Sequence, residues 1–272
     1  MDGHRVLKTT AKILRWNGRV LQRADDALAI EEPLEIRLET KPLVVTMRTP
    51  GHDEELAAGW LFTEGLIHTP ADLRAVRRNA RNKEGNSLDV FLAADVKVDL
   101  SRLARRGVAV SSCGVCGKAS IRAVRRRLPP VTSRLKVNAE LLASLPEKLR
   151  AAQPTFARTG GLHAAGIFTR TGELLVARED IGRHNAVDKV IGFGLLNNLL
   201  PFDEHILIVS GRASFEIMQK SLAARLPLVG AVSAPSSLAV EFARASRQTL
   251  VGFLRAERMN IYSGRQRMAR AA

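Results

Sequence analysis

Apolar and polar positions alternate through Leu34, Glu35, Ile36, Arg37 and Leu38, the period of a half-buried strand. Lys41-Pro42 predicts a turn, and Leu43-Val44-Val45-Thr46-Met47 a returning strand. Asp53 is a good helix N-cap, and Leu56, Ala57, Trp60 and Leu61 give the helix behind it one apolar face. Leu88, Val90 and Leu92 predict another strand, and Val96, Val98 and Leu100 a further one. Residues 1–100 therefore predict a small α+β domain. Residues 101–154 have poor periodicity up to Pro129-Pro130, then a helix after Asn138 that Pro146 interrupts.

From about residue 155 strands and helices alternate. Ala164–Phe168 and Leu174–Arg178 predict a hairpin around Thr171-Gly172, followed by a helix over Asn185–Leu196. Strand 206–209 leads through Ser210-Gly211-Arg212 into a helix ending near Ala224. Strand 226–232, helix 237–244, strand 249–254 and strand 260–262 complete the pattern, which implies a layered α/β domain over 155–272. The overall class is α/β, or α+β when both parts are counted.

Composition narrows the function classes. Of 272 residues, 46% are hydrophobic and 25% charged, the range of soluble globular chains. No apolar run approaches a membrane span, and no secretory signal is evident at the start, so a cytoplasmic protein is expected. The net charge is +15, unevenly spread: residues 101–136 hold ten basic residues and no acidic one. Aromatic residues are sparse, and none lies inside that stretch to stack bases, which argues against a nucleic-acid module.

The only cysteines, Cys113 and Cys116, lie in the middle of this basic stretch, within Ser111-Ser112-Cys113-Gly114-Val115-Cys116-Gly117. Two cysteines exclude a four-cysteine zinc site. A C-x-x-C pair in a reducing compartment suits redox or sulfur chemistry, a metal ligand pair, or two buried thiols in a turn. Surrounding cations favour the thiolate, and the glycines predict a mobile loop. His163 in Thr159-Gly160-Gly161-Leu162-His163 lacks the glutamate two residues on that a zinc deaminase needs: Ala165 stands there. A hydrogen-bonded histidine at a strand start is the plainer reading. Asp180, Arg183, His184 and Asp188 form either a catalytic cluster or a network at a helix start. Ser210-Gly211-Arg212 opens a helix after a buried strand, where backbone amides favour anions.

Taken together, EEPLEIRLETKPLVVTMRTPGHDEELAAGWLFTEGLI, SSCGVCGK, TGGLHAAGIF, REDIGRHNAVDKVIG, VSGRASFEIMQK, SAPSSLAVEFA and TLVGFLRAER resemble the formate dehydrogenase accessory sulfurtransferases, the FdhD family. The resemblance runs from about residue 15 to the end. It implies a cytidine-deaminase-like C-terminal fold without zinc. It implies transfer of persulfide sulfur from a cysteine desulfurase to molybdenum bis(molybdopterin guanine dinucleotide), before that cofactor enters formate dehydrogenase. Cys113 takes the persulfide role and Cys116 an auxiliary one. The cofactor-binding segment matches Phe253, Leu254, Arg255, Ala256, Glu257 and Arg258, and GDP is expected to occupy part of that site. Arg255 and Arg258 supply charge-assisted donors for phosphates. His184, Ser210 and Arg212 are further pocket candidates, no metal ligand is expected, and the resemblance implies a homodimer.

Overall fold

The structure, a computed structural model, describes residues 7–96, 98 and 128–269. Cys113, Cys116 and most of the basic stretch lie outside the described residues. The α/β architecture expected from the sequence is the one the chain forms, as two sheets and a ribbon.

The larger sheet explains the apolar runs of the C-terminal half. It has the order β12-β11-β10-β9-β7-β8. Its strands are β7 (His163–Phe168), β8 (Leu174–Asp180), β9 (Ile206–Val209), β10 (Leu228–Ala231), β11 (Thr249–Arg255) and β12 (Arg258–Ser263). β9, β10 and β11 are parallel, whereas β7 runs antiparallel to β9 and β12 antiparallel to β11. Strands covered on both faces need apolar residues at every position. In β9 the alternation is visible: Ile206 and Ile208 face one core, Leu207 and Val209 the other. Helix α2 (Ala139–Ala151) covers the first face with Leu142, Leu145 and Leu149. Helices α4 (Arg183–Leu196), α5 (Phe215–Ala223) and α6 (Ser237–Ala245) cover the second.

The smaller sheet, ordered β4-β3-β6-β5, comprises β3 (Glu32–Leu38), β4 (Lys41–Arg48), β5 (Leu73–Arg78) and β6 (Ser87–Leu92). Leu34, Ile36, Leu88 and Val90 pack under helix α1 (Asp53–Glu64) through Leu56, Ala57 and Leu61. The opposite side of α1 lies against α4, which is why the helix is apolar nearly all round. Two glycines set the spacing there. A Cβ on Gly59 would stand 1.9 Å from the Asp188 carbonyl oxygen, and one on Gly192 1.8 Å from that of Glu55. Arg178 of β8 adds two bonds of 2.6 and 2.7 Å to the Glu55 carboxylate. Burial works against the Glu55 charge, but the Arg178 guanidinium and His52 together outweigh it and lower the Glu55 pKa.

Several expectations need correction. The turn before β4 is Glu39-Thr40, both at positive φ (47° and 67°), not Lys41-Pro42, which begin the strand. The Glu39 carboxylate accepts from Leu92 N at 2.7 Å, and Arg37 donates to the Thr40 carbonyl, which holds this two-residue connection without glycine. Asp53 is not the N-cap of α1: that position is His52, and Asp53 is a buried first-turn residue. Arg48 claims its carboxylate at 2.9 and 3.2 Å. Pro146 does not interrupt α2, which runs on to Ala151 with Asn138 as N-cap accepting from Leu141 N at 2.8 Å. Apolar packing on both sides of the proline outweighs its missing N–H. Val96 and Val98 pack on the N-terminal core and neither is a strand residue, and Leu100 of the same expected strand lies outside the described residues.

Additional to the expectation are β5, the short helix α3 (Pro154–Thr159), and a two-stranded ribbon of β1 (Lys8–Trp16) with β2 (Leu21–Ala29). Among the described residues no helix is long and apolar enough to cross a membrane.

Candidate functional site

Parallel strands leave a crevice beyond their carboxyl ends, the usual ligand position in open α/β sheets. Here β9 and β10 end just before Ser210 and Val232, β11 ends at Arg255, and the antiparallel β7 begins beside them at His163. These residues line a cavity of about 980 Å³. Its other wall is the α2–α3 corner, with Arg150, Gln153 and Phe156, and its edge includes Gly160 and Gly161. The volume lies at the upper end of the range for cofactor sites, about 300–1,000 Å³.

Each wall is held by identifiable bonds. The Ser210 backbone N donates to the Ala164 carbonyl at 3.0 Å, while the Ser210 hydroxyl oxygen accepts from Ala164 N at 2.8 Å. This pair locks the β9 end to β7. In β11 the pairing slips between Gly252 and Arg255, and Phe253 adopts a left-handed φ of 52° with its N–H on the Ser233 carbonyl. A bulge re-aims the residues after it. Leu254, Arg255 and Ala256 thereby line the cavity. At the α2–α3 corner the Arg150 guanidinium lies 3.9 Å from the centre of the Phe156 ring.

The charge at the His163 end is positive. Burial depresses the His163 pKa below its ordinary 6.5, and the nearby Arg183 and Arg212 cations push the same way, opposed by Asp180. Both effects disfavour the charged imidazole. Gly211 touches it closely, since a Cβ there would lie 3.2 Å from His163 Nδ1. With Arg150 and Arg255 on other walls and Glu147 as the single carboxylate among the described lining residues, the cavity suits an anion.

Of the sequence candidates, the fold brings Ser210, Leu254, Arg255 and Ala256 together on the cavity. Arg212 stands within electrostatic reach of its His163. Phe253, Glu257 and Arg258 are exposed and stand outside the lining set. His184 is buried and outside the lining set, its Nε2 3.1 Å from the Ser214 hydroxyl and 3.7 Å from Glu216.

The polar segment before α4 is a network at a helix start. Asp180 is fully buried; it accepts from Gly182 N at 2.8 Å, Asn185 Nδ2 at 3.0 Å and Thr49 N at 3.2 Å, and pairs with Lys189 at 2.7 Å. Asp188 faces away, to Lys220 and Thr63. Arg150, Gln153 and Phe156 were not singled out by the sequence. The available signal was Pro154, a first-turn helix residue, which marks a break between α2 and α3 where side chains change direction.

The model of the FdhD/NarQ family matches residues 29–269. A curated relative from Streptomyces coelicolor, named sulfur carrier protein FdhD, is 50% identical over 266 residues, covering 95% of this chain and 94% of that one. One of the same name from Mycobacterium tuberculosis is 50% identical over 253 residues, covering 89% and 92%. The crystal structure described as a formate dehydrogenase accessory protein from Desulfotalea psychrophila superposes with a TM-score of 0.75 at 24% identity, over 97% of this chain and all of that one. With the family matched over nearly the whole described fold, the chain belongs to the FdhD/NarQ family.

Proposed function

We propose that this protein is a sulfur carrier for formate dehydrogenase maturation. In this reading it takes persulfide sulfur from a cysteine desulfurase on Cys113 and passes it to molybdenum bis(molybdopterin guanine dinucleotide). The observation that carries the reading is the cavity at the β9–β11 ends, where Arg255 and Ser210 meet a cationic wall large enough for part of a dinucleotide cofactor. Half-identical relatives named as sulfur carriers support the same assignment.

The chemistry has two balanced steps. The Cys113 thiolate attacks the terminal sulfur of the desulfurase persulfide; the S–S bond there breaks, and the desulfurase thiolate leaves. The ten basic residues of 101–136 favour that thiolate. The Cys116 thiolate then attacks Sγ of Cys113 and expels the terminal sulfur as hydrosulfide. The two electrons that reduce it come from the pair, which ends as a Cys113–Cys116 disulfide. The cavity holds the cofactor as substrate and receives the sulfide. A cytoplasmic homodimer, with apo formate dehydrogenase as the final partner, completes the proposal.

The test is mass spectrometry of the full chain after incubation with a cysteine desulfurase and cysteine, without reductant. One extra sulfur atom on the Cys113 peptide, lost when the cofactor is supplied, is the expected result. Cys113→Ala should abolish the gain. No added sulfur on the wild-type chain, with the desulfurase active on another acceptor, would end the carrier reading.

A further inference from the structure

Among the described residues the four most exposed large apolar side chains are Leu14, Trp16, Val20 and Leu21, 49–64% open to solvent. All four sit at the free end of the β1–β2 ribbon, around the turn at Asn17-Gly18. The other end of the ribbon is fixed to the body. Leu7 N donates to the Thr155 hydroxyl at 3.4 Å, Ile30 N donates to the Leu7 carbonyl, and α3 packs on both strands. Nine residues in each strand carry the tip about 25 Å from that anchor. Trp16 stands directly opposite Leu21, and Leu14, two residues along, shares their face beside Arg23. The Asn17 carboxamide oxygen accepts from Arg19 N at 3.1 Å and Val20 N at 3.0 Å, which holds the turn in one shape.

Residues 14–23 also hold Arg15, Arg19 and Arg23 and no acidic residue. Arg15 pairs with Asp26 at 3.4 Å, while Arg19 and Arg23 carry no ion pair among the described residues. A protruding apolar cluster with cations around it calls for a partner that is apolar and anionic at once. The tip is convex, so a protein would need a cleft shaped to it, whereas the headgroup region of a bilayer accepts it as it stands. Tryptophan favours the membrane–water interface, and arginines lay their stems along apolar surface while their heads bind phosphate. The net charge of +15 draws the chain toward such a surface. The unpaired edges of the ribbon limit its depth to the headgroup level, where water still satisfies the backbone. We propose that the ribbon tip seats on an anionic lipid surface, with Leu14, Trp16 and Leu21 inserted and Arg19 and Arg23 on lipid phosphates. The proposal is independent of the sulfur-carrier reading and adds a surface on which the chain works.

Co-flotation of the full chain with vesicles of phosphatidylglycerol and phosphatidylcholine in equal parts tests it. Wild type should bind these vesicles and not phosphatidylcholine alone, and the Trp16 emission should shift to the blue. Trp60, half-buried in the N-terminal core, supplies a background that Trp16→Ser subtracts. Arg19→Gln together with Arg23→Gln should weaken binding about 25-fold, about fivefold for each arginine near an anionic surface. Trp16→Ser together with Leu21→Ser should weaken it roughly tenfold or more. All four side chains are exposed, so both variants keep the fold, which circular dichroism checks. No binding by wild type would overturn the proposal. Equal binding by wild type and both variants would overturn it too, leaving a general attraction of a basic chain. So would a double serine variant that changes sedimentation but not vesicle binding, which would assign the tip to a second copy of this chain.

Discussion

Two buried glutamines have opposite surroundings. Gln248, fully buried where α5 and α6 meet β11, donates to the Ser221 hydroxyl and the Leu226 carbonyl and accepts from Ser246, each at 2.9 Å. Gln153, buried almost as deeply, has none of these bonds from any other described residue. The same contrast separates the two regions as wholes. Between α1, α4 and α5, Lys220 reaches both Asp188 oxygens at 2.8 and 2.9 Å and Thr63 at 2.9 Å. Lys189 binds Asp180 and the Thr49 carbonyl. Polar groups there satisfy one another and hold the two sheets together. Around the cavity, Ser210 is bonded to Ala164, while the Gln153 carboxamide has no hydrogen bond from another described residue. Pairing marks architecture, and its absence in a walled space marks a place for a ligand.

The largest test of this distinction is Lys220→Met. It leaves the Asp188 carboxylate buried without its cation, a change that costs about 3–5 kcal/mol. Urea unfolding should show a midpoint well below wild type, and an unchanged midpoint would remove the Lys220–Asp188 pair from the architecture. Next comes the glutamine pair itself. Gln248→Met strands three partners and should destabilise by about 1–3 kcal/mol. Gln153→Met strands none and should be neutral or stabilising, which the same unfolding experiment reads directly.

How far this division was legible in the sequence depends on what burial does to the residue pattern. Ile206–Val209 announced a strand because both of its faces are covered, so every position is apolar. The β1–β2 ribbon announced nothing. Most of its residues are exposed, Lys12 sits opposite Asp25, and no single face is buried, so no period survives in the sequence. Pro146 read as a break because its local cost is visible, whereas the packing of Leu142, Leu145 and Leu149 that offsets it is not. The cavity divides likewise. Leu254, Arg255 and Ala256 stood in a segment recognisable by resemblance. Gln153, between Ala152 and Pro154, looks like any surface glutamine until the fold places it in the cavity wall with no hydrogen bond to its carboxamide from another described residue.

Arg255→Ala probes the cavity from its opposite wall. Arg255 is exposed, so stability should stay within about 0.5 kcal/mol of wild type. A charge-assisted hydrogen bond to phosphate is worth about 1.5 kcal/mol at its low end. Affinity for pyrophosphate should therefore fall about tenfold. Calorimetry in low and moderate salt checks it; an unchanged affinity would assign the anion to the His163 wall alone.

The smallest effect sits at that wall and is set by pH. The pKa of His163 is depressed in the folded chain, by burial first and then by Arg183 and Arg212. Above its ordinary 6.5 the ring is neutral both folded and unfolded and contributes no pH dependence. As pH falls through that value the unfolded chain takes up the proton first, so stability is lost until the folded pKa is passed as well. Wild type should therefore lose more stability than His163→Gln between about pH 7 and pH 5. Titrations common to both chains, including His205, which burial also depresses, cancel in the difference. Arg212→Ala should move the His163 ring titration, followed by proton NMR, back toward 6.5. A ring that titrates at 6.5 in wild type would place His163 in water rather than in the cationic wall, and the contrast between a paired seam and an available cavity would lose its polar end.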